Sequence, residues 1–224
     1  MINVVFVKTG NKYQATHVNR LCRLIHINST LPIKFHVLTD NPAGIDSEVN
    51  CIKIPEDLDG WWNKLWLFWP ELPITGDILY FDLDVIPVSN IDELLTYDSS
   101  RFTIIRDYGQ PDMWYNSSVM KFQAGRYGAM FDNFRRDIAK HKRLNQGDQN
   151  YITKYLKDNK LPVNLWPDWW CYSYKWGLTH KTKHSYNPLL VPALGKVAVF
   201  HGHPKPDEIL SDTSHWVSSM ISRA

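Results

Sequence analysis

Residues 78–84 read ILYFDLD: Ile78, Leu79, Tyr80, Phe81, Asp82, Leu83 and Asp84. A nearly continuous apolar run is what a strand shows when helices cover both faces of its sheet. This run then stops at two aspartates with only Leu83 between them. A carboxylate is costly to bury unpaired, so both charges must end in water, at a capped turn or on a cation. In an extended backbone, residues two apart project to the same side, so Asp82 and Asp84 can face one divalent ion while Leu83 turns into the core. Hard cations favour such oxygen ligands. The competing reading is a solvated turn ahead of Pro87.

Working outward, strands and helices alternate. Ile2 to Val7 is a short apolar strand ended by Thr9-Gly10, after which Val18, Leu21, Cys22 and Ile25 recur at helical spacing. Lys34 to Leu38 reads as a second strand stopping at Thr39-Asp40, and Val49 to Ile54 as a third. Trp62, Leu65, Trp66 and Trp69 fall on one face of a helix that Pro70 ends, with Trp61, Lys64 and Phe68 on a neighbouring face. Further strands are expected at Phe102–Ile105, Ser118–Phe122 and Val197–Phe200, with helices at Arg126–Lys140 and Asp148–Leu156. This alternation predicts an α/β/α sandwich with a mainly parallel central sheet. Ligands then gather at the carboxyl ends of the strands.

The 224 residues fit one domain. Its 25 basic and 23 acidic residues, with no clustered basic face, give no electrostatic case for nucleic acid. The start, MINVVFVKTG, lacks the basic lead and long apolar stretch of a signal peptide, and no apolar run approaches the roughly 18 residues of a transmembrane segment. Cys22, Cys51 and Cys171 are odd in number and far apart, which argues against a disulfide framework and points to a reducing, cytoplasmic home. In such a home the glycosylation sequons at Asn28 and Asn116 are chance matches.

The second informative stretch is KVAVFHGHPKP, residues 196–206, where an apolar strand again ends in polar residues. His201 follows it directly and can join the two aspartates as a third ligand, with His203 as its rival. Gly202 leaves room for close backbone approach, and Lys205 supplies a cation of the kind that neutralises a phosphate. Taken singly, such a histidine is more often a hydrogen-bonded surface residue and such a lysine a solvated loop charge; it is their combination with the two aspartates that points to a site.

DLD after an apolar strand, GDQN at 147–150 and HGHPKP at 201–206 resemble the three hallmark blocks of the retaining glycosyltransferases of family 8, which have the nucleotide-sugar-binding GT-A fold. KFHVLTD is similar to that family's second strand and YNSSVMKF to its strand near the sugar. Two departures stand out. Ser118 replaces the usual glycine, and the first strand ends VKTG in place of an acidic pair, which leaves the contacts to a uracil base, and so the choice of nucleotide, open.

The resemblance implies that Asp82, Asp84 and His201 hold Mn²⁺ (or Mg²⁺) on the diphosphate of a nucleotide-sugar, UDP-glucose or UDP-galactose, with Lys205 on the same diphosphate. Asp148 and Gln149 match the pair beside the transferred sugar. Asn116 and Ser117 match the block that binds its hydroxyls, and Leu83 and Gly202 accompany the metal ligands. By position in that fold, Val7, Lys8, Thr9 and Tyr13 lie under the nucleotide and Thr39 and Asp40 near its base. Lys64 precedes the DLD strand as a basic residue does in the family and can reach the phosphates. Asp148 also reads as a helix N-cap.

Eight of the ten tryptophans cluster at 61–69 and in LWPDWWCYSYKWG, residues 165–177. The second cluster has no clean period and suits either satellite core or a platform for a sugar acceptor. The expectation is a single GT-A domain over 1–224, donor-binding to about residue 125 and acceptor-binding and metal-closing from about 126. Its activity is transfer of a hexose from a nucleotide-sugar to a hydroxyl acceptor. The alternatives are a nucleotidyltransferase, for which VKTGNKYQ is a thin phosphate loop, and a catalytically inactive carbohydrate-binding relative.

Overall fold

The computed structural model describes residues 2–224. Strand β1 (Ile2–Lys8) leads through helix α1 (Ala15–Ile27) to β2 (Ile33–Thr39) and β3 (Asn50–Lys53). A 3₁₀ helix, Gly60–Phe68, precedes β4 (Asp77–Phe81), and β5 (Val85–Pro87) and α2 (Asp92–Thr96) follow. Next come β6 (Phe102–Arg106), β7 (Tyr115–Gln123), α3 (Gly128–Arg136), α4 (Ile138–Leu144) and α5 (Asp148–Asp158). The chain closes with β8 (Val163–Leu165), β9 (Cys171–Ser173), β10 (Val197–Val199), α6 (Pro206–Ile209) and α7 (Trp216–Ile221).

Seven strands form the central sheet in the order β3-β2-β1-β4-β7-β6-β8. All neighbours are parallel except β7, which runs antiparallel to both β4 and β6. One face packs on the 3₁₀ helix, α3 and α5 through residues such as Trp66, Phe131 and Ile152. The other packs on α1 and α2 through Val18, Ile25 and Leu94. Both faces of β4 are therefore apolar, and Ile78, Leu79 and Phe81 are fully buried. Because β1, β2 and β4 are parallel, their carboxyl ends bring Lys8, Asp40 and Asp82 to one edge.

Several sequence expectations change. β4 ends at Phe81, as its sequence indicates, but Asp82–Asp84 form a turn by which the chain leaves the main sheet for a second, three-stranded one ordered β5-β10-β9. The extended-strand geometry expected for the two aspartates is therefore absent, although Leu83 is buried as anticipated. The tryptophan-rich helix is 3₁₀, with Trp62 through Phe68 all buried, so it has no single apolar face. The helix expected over 126–140 breaks at Asp137, whose ψ of 75° lies outside the helical region. The Asp137 side chain then caps α4 by accepting the Lys140 N–H. In the aromatic stretch 165–177, Trp166, Tyr172 and Tyr174 are core residues and β9 runs through it.

Candidate active site

Asp82 is the meeting point of a buried network. The Lys64 ammonium lies 3.0 Å from Asp82 Oδ1 and 3.0 Å from Asp148 Oδ2. It also donates to Ser117 Oγ, which in turn donates to Asp148. Tyr80 donates its hydroxyl to Asp82 Oδ1 at 2.5 Å. Burial alone would strip Lys64 of its proton, but the charges of Asp148 and Asp82 outweigh it and push its pKa up. Burial likewise opposes the Asp82 charge, and Lys64 with the Tyr80 hydrogen bond still holds its carboxyl below the usual range.

Ser117 reaches this network because β7 carries an irregularity. The register with β6 passes from Ile104↔Met120 directly to Ile105↔Asn116, so Ser117, Ser118 and Val119 face no partner there. Bulges re-aim side chains in this way. The Ser118 carbonyl accepts the Asp82 N–H at 2.8 Å, which ties the bulge to the turn. Asn116 is buried, and its Oδ1 accepts from the Ser118 N–H. Asp148 is not the cap of α5: Gly147 holds that position, and the Asp148 side chain points into the network. Gln149 donates to Asp107 at 3.4 Å.

Asp84 has different partners. It accepts a hydrogen bond from the Tyr13 hydroxyl at 3.0 Å and an ion pair from Lys205, whose ammonium also donates to the Phe200 carbonyl. Burial first and the Asp84 charge second push the Tyr13 phenol well above its usual range. Pairing of β5 with β10 sets this up, since Val85 lies opposite Val199. His201 follows at once. Its Nε2 shares a hydrogen with Ser173 Oγ at 2.7 Å, Tyr108 stacks on the ring and the Trp176 edge closes it. Burial, together with Lys175 and Lys205, lowers its pKa to about 4, so the imidazole is neutral at pH 7. Gly202 has φ +68°, which favours glycine, and a Cβ there would meet Lys175 Nζ at 3.1 Å. The loop is clamped from outside: Asp207 pairs with His17 at 2.7 Å and Arg20 at 2.5 Å on α1.

A cleft of about 410 Å³ opens beside β1 and β2, lined by Lys8, Gly10, Gln14, Asp40, Asn41 and Glu56 among others. Asp40 Oδ2 accepts the Gly10 N–H at 2.6 Å, while Oδ1 is buried with no partner among the described residues. Thr39 is buried and turns its hydroxyl to the Asn41 backbone, and Val7 packs on the core. Thr9 sits in the turn after β1.

Asp82, Asp84 and His201 thus stand at one end of the sheet, on separate partners. Among the described residues no three acidic, histidine or cysteine side chains gather closely enough to share a metal ion. The donor set nevertheless suits a hard cation, with two carboxylates and an imidazole held neutral. Each carboxylate already carries an ammonium group in a cation's place. Sequence reasoning missed Tyr80, Ser173, Tyr108, Asp107 and the His17–Arg20–Asp207 clamp. Only the aromatic density around Ser173 signalled any of them.

Neither a protein-family model nor a curated protein matches the sequence. Solved structures match the fold. The galactosyltransferase LgtC, in complex with donor and acceptor sugar analogs, superposes with a TM-score of 0.68 at 15% identity, over 99% of this chain and 95% of LgtC. The chain has the GT-A fold. An active-site mutant of LgtC gives a TM-score of 0.64 at 15% identity over 99% of this chain and 95% of its own. The Streptococcus pneumoniae TIGR4 glycosyltransferase GlyE gives 0.66 at 14% identity, over 99% of this chain and 63% of GlyE. On the GT-A fold, the carboxyl ends of β1, β2 and β4 hold the cleft, the Asp82 network and the Asp84–Lys205 pair on one edge.

Proposed function

We propose that this chain is a metal-dependent glycosyltransferase that moves a hexose from UDP-glucose or UDP-galactose to a hydroxyl acceptor, a saccharide or other small molecule, with retention of anomeric configuration. The observation that carries this reading is the charge at the carboxyl edge of the GT-A sheet. Asp82, Asp84 and Asp148 converge there on Lys64 and Lys205, three carboxylates against two ammonium groups in direct ion pairs. That site would attract a cation and, once loaded, a diphosphate.

Asp82, Asp84 and His201 would hold Mn²⁺ or Mg²⁺, and the bound cation would supply the positive charge that a departing diphosphate needs. Lys205 adds its own charge to the same oxygens. Lys64 keeps Asp82 ionised and holds the Asp148 carboxylate in place. Asp148 presents a carboxylate where positive charge develops at the anomeric carbon, and Gln149, steadied by Asp107, lies beside the sugar. Asn116 and Ser117 offer an amide nitrogen and a hydroxyl to sugar hydroxyls, and Gly202 admits the diphosphate close to the backbone. Leu83 and Tyr13 position Asp82 and Asp84. In the cleft, Asp40 has an oxygen in want of a donor and Lys8 a buried ammonium group. The imide edge of uracil, an N–H between two carbonyls, complements both. Val7, Thr9 and Thr39 frame that end. We place the enzyme in the cytoplasm, in keeping with three cysteines that are all free.

The test is to incubate the protein with a panel of nucleotide-sugars, with Mn²⁺ and with EDTA, and to follow nucleotide diphosphate release and the anomer of the product. The reading requires Mn²⁺-dependent release from a UDP-hexose. Release without metal, or from no nucleotide-sugar, would refute it.

A further inference from the structure

The most exposed apolar surface of the molecule lies far along the chain from the DLD turn. Among the described residues eight large hydrophobics are exposed, and four of them fall within residues 189–194: Leu189, Leu190 and Leu194 at 63% and Val191 at 39%. This is a fixed surface, because both ends of the loop are bolted down. Trp216 Nε1 donates to the Pro188 carbonyl at 2.9 Å, and Ser89 Oγ donates to the Gly195 carbonyl at 2.7 Å. Tyr186 packs into the core, and Gly195 lies so close to Tyr172 that a Cβ would come within 2.8 Å of its ring. Two tight turns, Asn187–Leu190 and Pro192–Gly195, hold the leucines outward. Contiguous exposed apolar side chains on a soluble fold mark a binding surface.

Its surroundings point to the partner. From Trp169 to Pro206 the chain contains five lysines and no acidic residue. Lys196 is engaged by Glu93, but Lys181 and Lys183, with His184, are exposed immediately before the leucines. An exposed apolar stretch preceded within eight residues by exposed cations, with no acidic residue in the segment, suits the interface of a bilayer, with the leucines among the acyl chains and the lysines at anionic headgroups. Among the described residues no helix is long and apolar enough to cross a membrane.

We propose that the 181–194 loop docks the protein on the surface of an anionic lipid bilayer. This inference is independent of the transferase reading, because its test measures binding and not turnover. The full chain is sedimented with vesicles of mixed phosphatidylcholine and phosphatidylglycerol, with pure phosphatidylcholine vesicles as control. The protein should bind the mixed vesicles and bind the neutral ones about tenfold more weakly or worse, with a steep loss at high salt. The exposed-site variants Leu189→Ser/Leu190→Ser/Leu194→Ser and Lys181→Glu/Lys183→Glu should each weaken binding at least about tenfold while circular dichroism stays unchanged. No binding by the unaltered protein, or unchanged binding by the triple variant, would overturn the proposal. So would a concentration-dependent dimer that the leucine substitutions abolish in the absence of vesicle binding, which would make the patch a self-association surface.

Discussion

Lys64 Nζ lies 3.0 Å from the Asp148 carboxylate in a buried ion pair, joining the helix before β4 to the start of α5. The carboxylate that the family resemblance assigns to the transferred sugar is therefore also part of the structure's interior. Asp148→Asn preserves shape and hydrogen bonding but leaves Lys64 with Asp82 alone. Turnover should fall at least about a hundredfold, equivalent to roughly 2.7 kcal/mol of transition-state stabilisation. Urea unfolding should show a loss of about 1–2 kcal/mol, less than for an unpaired buried charge because Asp82 remains. Ordinary turnover with that same loss of stability would reduce Asp148 to a structural partner of Lys64.

Lys205 stands on Asp84 and on the Phe200 carbonyl, poised at the edge where a diphosphate would leave. Its charge matters most as negative charge grows on that leaving group. Lys205→Ala should therefore lower kcat more than it raises KM for the donor. Steady-state kinetics that changed KM alone would make it a ground-state contact.

His36 gives a pH dependence of folding. Asn3 donates Nδ2 to the Thr75 and Asp77 carbonyls, so its Oδ1 faces His36 Nε2 and must accept from it. His36 Nδ1 is then the acceptor for Asn50 Nδ2, and a second proton on the ring would set donor against donor. Burial first, and Lys34 second, lower its pKa to about 4. The unfolded chain takes up this proton near pH 6.5, before the folded one, so the contribution to stability is complete above pH 6.5 and is lost as pH falls towards 4. The loss amounts to about 3 kcal/mol. Denaturation midpoints across that window should fall steeply, and His36→Gln, which supplies a donor and an acceptor without titrating, should flatten the slope. An equal slope in both proteins would assign the acid sensitivity elsewhere.

The sandwich was legible because its signals are local: β-branched strands ending in turn residues, and α1 and α5 with one apolar face each. The 3₁₀ helix was not, because Trp62 to Phe68 are all buried and a run that is apolar on every side gives no period. Extended backbone and turn both stay open for DLD in the sequence, because the apolar residues resume at Leu83, Val85 and Ile86 and nothing local says that the chain changes sheets there.

At the site, the sequence singles out Asp82, Asp84 and Asp148 but not the side chains they meet. Lys64, which by resemblance can reach the phosphates, has its ammonium between Asp82 and Asp148. Such long-range pairing, like the three residues of β7 without partners on β6, depends on register and leaves no local trace. The clamp of Asp207 on His17 and Arg20 spans most of the chain and is equally silent in the sequence.

In the proposed function Asp82 and Asp84 hold a divalent cation for a nucleotide diphosphate. Titration calorimetry of UDP with Mn²⁺, in the unaltered protein and in Asp82→Asn and Asp84→Asn, measures this without any acceptor. UDP should bind with Mn²⁺ and lose that affinity in EDTA, and each variant should remain folded and bind UDP at least about a hundredfold more weakly in Mn²⁺. Equal UDP affinity with and without metal, or unchanged Mn²⁺-dependent affinity in both variants, would contradict the account.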